Sequence, residues 1–465
     1  MHSGEIAHRT RRGVWAGGCD NQGADGSVFT LWLGAVVRRI DRFLTPRRIR
    51  DYPRLMLLAM AGVLAGHVLM RSGWLGGLGQ IIGHDFIAQY TGSAVFLQDI
   101  DRLYDFETHR VVQEDLVAPT PLVGLAPFIN PPYVAMAYAP LTRMPLSWAF
   151  AAWSCAMLIA AVAAAVLSWR YLTPGEHVSH AVSPGSLIVL TLSCFPFVEG
   201  YIVGQNHALT LLLVVLLCVC VSRRRRVMAG CLAGALIYKP HLALGFVIVW
   251  ACWRDLRALF GFSVVSLLWA GGCLVWQGTQ PYLDYVGIGD QLLTLSYFGN
   301  PDSIMTTPYG FLTSILPIRN LDSIKAATAV WGVFATAALA LIATKHRTGT
   351  AAQKMPVLAL GVLYPFVASP YAMLHDLVLL LPVFLLLAWR RGGRPALKGW
   401  ATGSYVATLL LPLVGVVVDV ALVSALPMAI AVTQYWSLWR GDRPSGGAST
   451  ALCADQTQAP LGGSR

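Results

Sequence analysis

Residues 83–92 read GHDFIAQYTG and put His84, Asp85, Gln89 and Tyr90 directly after the first long apolar segment of the chain. Three more clusters set polar groups into apolar surroundings: GQN at 204–206, the Lys239–Pro240 pair in AGCLAGALIYKPHLAL, and SPYAMLHD at 369–376 with Tyr371, His375 and Asp376. A carboxylate can accept a hydroxyl proton, and fixed cations can stabilise developing negative charge. Near a bilayer such groups face protein or water and often mark function. Each also has a structural reading. Asp85 can cap a helix, Lys239 can snorkel to headgroups, His375 and Asp376 can be cap and interface residues, and residues 204–206 can form a tight turn. His207 and His241 read as packed or capping residues. His177 and His180, in HVSH, have ligand-like spacing but no acidic or cysteine partner nearby, so no metal is expected.

The elements that must position these groups belong to a membrane protein. Of 465 residues 56% are hydrophobic and 12% charged, with mean hydropathy +0.59, whereas soluble domains carry about 25% charged residues. The net charge of +11 sits in short runs between apolar segments rather than in aromatic-interleaved stripes, so nucleic acid is not an expected partner. Nine cysteines include no CxxC pair, and Cys155, Cys194, Cys218, Cys220, Cys231, Cys252 and Cys273 lie in apolar runs as small packing residues. Walker A, GxSxG and HExxH sequences are absent, which leaves ATP-driven transport unsupported.

Ten apolar segments suggest crossings near 53–74, 147–169, 185–200, 204–222, 257–277, 325–344, 355–373, 375–389, 399–418 and 420–439. Positive loops favour the cytoplasmic side. With Arg47, Arg48, Arg50 and Arg54 inside, Arg170, the run RRRR at 223–226, Lys345, Arg347, Arg390, Arg391 and Arg440 fall inside too. This requires residues 227–253 to enter and return, broken at Lys239–Pro240, where proline ends the preceding helix; one tilted span is the alternative, and it would upset the later parity. All four polar clusters then share the outer side. Residues 75–130 hold seven carboxylates against two arginines, and Ile87, Tyr90, Ala94 and Leu97 recur at helical spacing, predicting an amphipathic helix over 86–98 resting on the membrane surface. The run NPPYVAMAYAPL at 130–141 is too short to cross and dips in from outside, protected by protein. Residues 1–52 form a cytoplasmic tail with an interfacial helix at 28–43, residues 53–440 the membrane domain, and 441–465 a disordered tail.

Taken in order, HDF…Y at 84–90, RLYD at 102–105, NPPYVAMAYAPL, GQN, AGCLAGALIYKPHLAL and SPYAMLHDLVLLL at 369–381 resemble glycosyltransferase family 87. That family includes polyprenol-phosphate-mannose-dependent mannosyltransferases. The resemblance covers roughly residues 55–390 and departs at Asn130, where family members have Tyr. It implies an all-α polytopic GT-C fold with about 10 to 12 transmembrane helices. It also implies a multi-pass location in a cell membrane of the bacterial inner-membrane kind, with an extracytoplasmic active site.

The activity implied is transfer of a sugar, by analogy mannose, from a polyprenyl-phosphate donor to an envelope glycolipid or glycan acceptor, with inversion and without cofactor or metal. Asp85 then fits the general base. Lys239 and His375, with Arg143 as a further candidate, face the donor phosphate. His84, Tyr90, Gln205, Asn206, Tyr371 and Asp376 contact substrate. Membrane lipids surround the protein. The alternatives are a lipid-linked-sugar flippase or transporter, against which only one Lys-Pro break and no matching half are found, and a GT-C transferase using another lipid-linked donor.

Overall fold

The computed structural model describes residues 46–77, 79–173, 183–289, 302–316, 321–391 and 395–440. The expected interfacial helix at 28–43, the His177/His180 pair and the tail at 441–465 lie outside the described residues. The chain is an all-α polytopic membrane protein. Its helices are α1 (Pro46–Leu69), α2 (His84–Gln98), α3 (Phe106–Val117), α4 (Pro132–Tyr138), α5 (Leu146–Leu172), α6 (Pro184–Ser193), α7 (Phe195–Val203), α8 (His207–Ser222), α9 (Arg226–Ala235), α10 (Pro240–Trp253), α11 (Leu256–Gln277), α12 (Gln280–Gly287), α13 (Pro308–Ile315), α14 (Leu321–Lys345), α15 (Ala351–Ala368), α16 (Leu380–Arg391), α17 (Pro395–Val418) and α18 (Ala425–Trp439). Among the described residues five helices are long and apolar enough to cross a membrane: α1, α5, α11, α14 and α17. The pair α6 and α7 makes a sixth if it counts as one span, and five shorter apolar helices complete the bundle.

Residues 185–200, expected as one crossing, are two helices bent by 59°. Pro196 supplies the reason, because its ring has no N–H for the helical ladder and clashes with the preceding turn. Residues 227–253 fold back on themselves as a hairpin. Arg226, at the start of α9, lies 3.5 Å from Asp255, just past the end of α10. Lys239 stands at the far tip of this hairpin. Bare backbone contacts fix its first arm, since a Cβ on Gly230 would sit 1.9 Å from the Ala258 carbonyl oxygen and one on Gly261 would sit 2.1 Å from that of Val227. In lipid, where hydrophobic sorting between helices is weak, such small-residue contact is what holds helices together. The same economy appears in α5, where Ala161, Ala164 and Ala165 are fully buried.

One end of the bundle gathers the basic loops. The Arg223 guanidinium lies 4.1 Å from the Tyr171 ring centre, and Lys354 sits 5.1 Å over Trp253, whose indole N–H donates to the Ala343 carbonyl. Lys345 lies over Trp439 and donates to its carbonyl. The polar clusters lie at the opposite end.

The helix foreseen over 86–98 forms as α2, but not on a surface. Phe86 through Ser93, with Val95 and Phe96, are buried, because α4 and the short 3-10 helix Ala139–Arg143 cover what spacing alone leaves as a polar face. Amphipathic character resides instead in α3, which buries His109, Gln113 and Val117 at intervals of four. The short element at 130–141 is shielded by protein. Pro132 to Ala135 are buried, and the Ala135 carbonyl accepts from Ser93 Oγ at 2.9 Å.

The hairpin generates a direct test. Cysteines substituted singly for Arg226 and Asp255 should label from one and the same face of oriented vesicles, and a cysteine at Gln80 only from the other. Labelling of positions 226 and 255 from opposite faces would replace the hairpin by a single tilted span.

Candidate active site

A cavity of about 1130 Å³ opens at the end opposite the basic loops. Four structural breaks feed it: the start of α2, the joint between α7 and α8, the tip of the α9–α10 hairpin, and the stretch between α15 and α16.

The start of α2 and the α7–α8 joint are locked together. Gly83 N–H donates to the Ile202 carbonyl at 3.0 Å, and the Trp153 indole N–H donates to the Gly204 carbonyl at 3.0 Å. Gly204 has φ 78°, a left-handed conformation that glycine adopts without strain. A Cβ there would come within 2.6 Å of Phe86 Cβ. This fit brings Gln205 to Asp85, residues 120 positions apart, and Gln205 Nε2 donates to Asp85 Oδ2 at 2.8 Å. The other oxygen, Oδ1, lies 3.3 Å from His84 Nδ1. The Asp85 side chain keeps 27% exposure toward the cavity. Burial pushes its carboxyl up, but contact with His84 and the Gln205 amide outweighs that and leaves it below the ordinary carboxylate value.

The second half of the site is a chain of charges. Lys239 Nζ donates to Asp376 Oδ1 at 2.8 Å, with the two side chains only 8% and 0% exposed. Asp376 Oδ2 accepts the Met373 backbone N–H at 3.2 Å. Lys239 Nζ also lies 3.4 Å from His375 Nε2, and His375 Nδ1 lies 3.5 Å from Glu199 Oε2. Two carboxylates, Asp85 and Glu199, therefore border the same cavity as Lys239 and His375. Among the described residues no group of three or more His, Cys, Asp and Glu side chains is placed to hold a metal ion.

Of the residues singled out by sequence, His84, Asp85, Gln205, Asn206, Lys239, Tyr371 and His375 line the cavity, with Asp376 directly behind Lys239. Asn206 is buried, its Oδ1 without a partner among the described residues, and Tyr371 stands edge-on to His241 at 6.2 Å. Tyr90 and Arg143 are not brought to the cavity. The Tyr90 hydroxyl donates to the Met144 carbonyl at 2.8 Å, tying α2 to the segment before α5, so its hydroxyl is spent on the fold. Arg143 is exposed at the end of its 3-10 helix.

Glu199 went unnoticed in the sequence. Its signal was there: it is the one charged residue between Pro184 and Ser222, and an ionisable group in an apolar stretch is a functional candidate by default.

Residues 128–370, just over half of the chain, match the family model described as Glycosyltransferase family 87. The chain belongs to glycosyltransferase family 87. No curated protein and no solved structure was found to match it. Membership makes the protein a glycosyltransferase, which sets aside the flippase and transporter readings. The matched segment of this family 87 enzyme contains Glu199, Gln205, Asn206 and Lys239, whereas Asp85 and His375 lie beyond its two ends.

Two outcomes follow from the packing of the transferase. Asp376→Ala strands the Lys239 ammonium in the interior and should cost about 3–5 kcal/mol of stability, read as loss of folded protein in thermal unfolding of the detergent-solubilised enzyme. The paired Lys239→Met, Asp376→Leu variant should recover most of that stability without recovering activity. Gly204→Ala should cost about 1–3 kcal/mol through its left-handed backbone and should reduce activity by moving Gln205 off Asp85. Unchanged unfolding of Gly204→Ala would show that the interlock yields freely.

Proposed function

We propose that this glycosyltransferase moves a sugar from a polyprenyl-phosphate donor to a hydroxyl of an envelope glycolipid or glycan, in one inverting displacement with Asp85 as general base. The observation that carries this reading is the two-sided character of the cavity. One end presents Asp85, Gln205, Asn206, Lys239 and His375. The other is an apolar wall built from membrane helices, with Met60 and Val63 of α1, Phe195 of α7 and Leu409, Leu413 and Val416 of α17. A ligand with a polar head and a hydrocarbon tail satisfies both ends, and a nucleotide sugar satisfies only one.

In the proposed step the acceptor hydroxyl sits against Asp85. Gln205 anchors Oδ2 and His84 lies beside Oδ1, and the remaining lone pair of Oδ1 receives the proton as the acceptor oxygen bonds to the anomeric carbon. The bond from that carbon to the phosphate oxygen breaks, and its electron pair stays on the phosphate. An ammonium has three donors. Lys239 directs one to Asp376 and one to His375, and the third remains for the charge developing on the leaving phosphate. Asn206, Tyr371 and His84 contact the sugars, and the scheme uses no metal.

Tyr90 and Arg143 have no part in it. The extracytoplasmic side is assigned by the rule that basic loops stay inside, because the cavity opens away from them. Mannose as the donor sugar and a GT-C architecture are supported by the motifs shared with the mannosyltransferases of the family.

Incubation of the purified enzyme with polyprenyl-phosphate sugars and candidate acceptors, scored by mass spectrometry, should show release of polyprenyl phosphate together with a glycosylated acceptor. Asp85→Asn should lower the turnover rate by about 10²–10⁴ while leaving expression and membrane insertion intact. With the Asp85 carboxyl held below its ordinary value, the base form persists through neutral and mildly acidic pH. Activity should therefore show no loss from this group until about pH 4 or below. Full turnover by Asp85→Asn would remove Asp85 from the mechanism.

A further inference from the structure

Glu199 has no role in the scheme above, and its placement calls for one. The bend after Ser193 swings α7 so that Phe195, Val198, Glu199 and Ile202 face the cavity. Glu199 Oε2 is buried and takes no hydrogen bond among the described residues. Its polar neighbour is His375 Nδ1 at 3.5 Å, the outer limit of hydrogen-bonding distance, and such contacts often tighten when a substrate closes on a site.

The other face of His375 decides where its proton sits. Nε2 lies 3.4 Å from Lys239 Nζ. An ammonium donates and never accepts, so Nε2 must present its lone pair and the ring proton belongs on Nδ1. Asp376 Oδ1, at 3.8 Å from Nε2, is too distant to take a proton from it. Nδ1 is the ring nitrogen that neighbours Glu199, the carboxylate that needs a donor. Which ring nitrogen is protonated is commonly fixed by the bond the other nitrogen makes.

We propose that Glu199 is a positioning residue that holds His375 in its Nδ1–H tautomer, and so keeps one Lys239 N–H free for the donor phosphate. Its link to the phosphate rests on the polyprenyl-phosphate reading, whereas the tautomer itself does not. Without Glu199 the ring is free to carry its proton on Nε2, facing the ammonium. Lys239 then loses one of its two acceptors and no longer points its third donor at the cavity. The consequence falls on the donor and not on the acceptor, which meets Asp85.

The test uses the full-length protein labelled with ¹⁵N only at histidine and reconstituted in lipid. His375 is identified by the signal missing from both His375→Asn and His375→Gln. Solid-state NMR of the wild type should show the His375 proton on Nδ1. Glu199→Ala should move it partly or wholly to Nε2, and Glu199→Gln, whose amide oxygen still accepts, should restore the wild-type signal. In turnover with polyprenyl-phosphate mannose, Glu199→Ala should lower donor kcat/KM at least tenfold with acceptor KM unchanged. That loss should disappear in a His375→Ala background, the signature of two residues acting as one. An unchanged His375 spectrum in Glu199→Ala, or a kinetic loss that survives in full without His375, overturns the proposal. If the wild type turns over no polyprenyl-phosphate sugar, the donor assignment fails while the spectra still decide the tautomer.

Discussion

The buried pair of Lys239 and Asp376 is the contact on which the rest of the site depends. Either charge alone at that depth would cost several kcal/mol. At 2.8 Å each is the other's justification. The pair also reaches beyond itself, to the Met373 backbone on one side and through His375 to Glu199 on the other. These residues come from three places where helices are interrupted: the bend between α6 and α7, the tip of the α9–α10 hairpin, and the 3-10 turn Leu374–Leu379. Interrupted helices expose backbone groups that hydrocarbon cannot satisfy, so they persist only where protein or a water-filled cavity receives them. One chain of charges pins three such interruptions around one cavity.

The two ends of the bundle are held by different physics. At the basic end, α9 and α11 meet backbone to backbone at Gly230 and Gly261, while arginine and lysine side chains lie over Tyr171, Trp253 and Trp439. At that contact the backbones meet with no room for a Cβ on either glycine. At the cavity end the helices part, and polar side chains replace close packing. Among the described residues, Asn206 Oδ1, Gln89 Oε1 and His241 Nε2 are buried there without partners, and the hydroxyls of a sugar are groups that can supply them. A close-packed base and a polar mouth suit an enzyme that transfers a sugar.

Much of this was legible in the sequence, for identifiable reasons. Membrane residence follows from composition, and the α9–α10 hairpin follows from the need to keep Arg223 and Arg254 on one side. The clusters around Asp85, Gln205, Lys239 and His375 stood out because polar groups are rare in such surroundings. What failed was inference about which face of a helix is covered. Ile87, Tyr90, Ala94 and Leu97 gave α2 its helical period but said nothing of α4, which is distant in sequence and covers the opposite face. Tyr90 and Arg143 have the right chemistry for a sugar site, yet the hydroxyl of one is consumed by the Met144 carbonyl and the other stays exposed. Glu199 was hidden for the converse reason. A window average over 185–200 treats a single carboxylate as noise, and Pro196, which bends the helix and aims that carboxylate, is discounted with it.

The family match begins at residue 128, so the general base we assign stands outside it. The interlock at Gly83, Phe86 and Gly204 shows how the two parts become one site. Phe86 fills the space beside Gly204 that any larger residue would occupy, and its ring meets those of Phe150 at 5.5 Å and Trp153 at 6.0 Å. Asp85 precedes Phe86 directly, so the aromatic cluster that seats one also orients the other toward Gln205. The position of the carboxylate is therefore set by packing within the matched segment, although the carboxylate itself is contributed from outside it. A base carried on a separate helix but fixed by such a contact can be delivered to the same cavity as Lys239 without sharing any sequence motif with it.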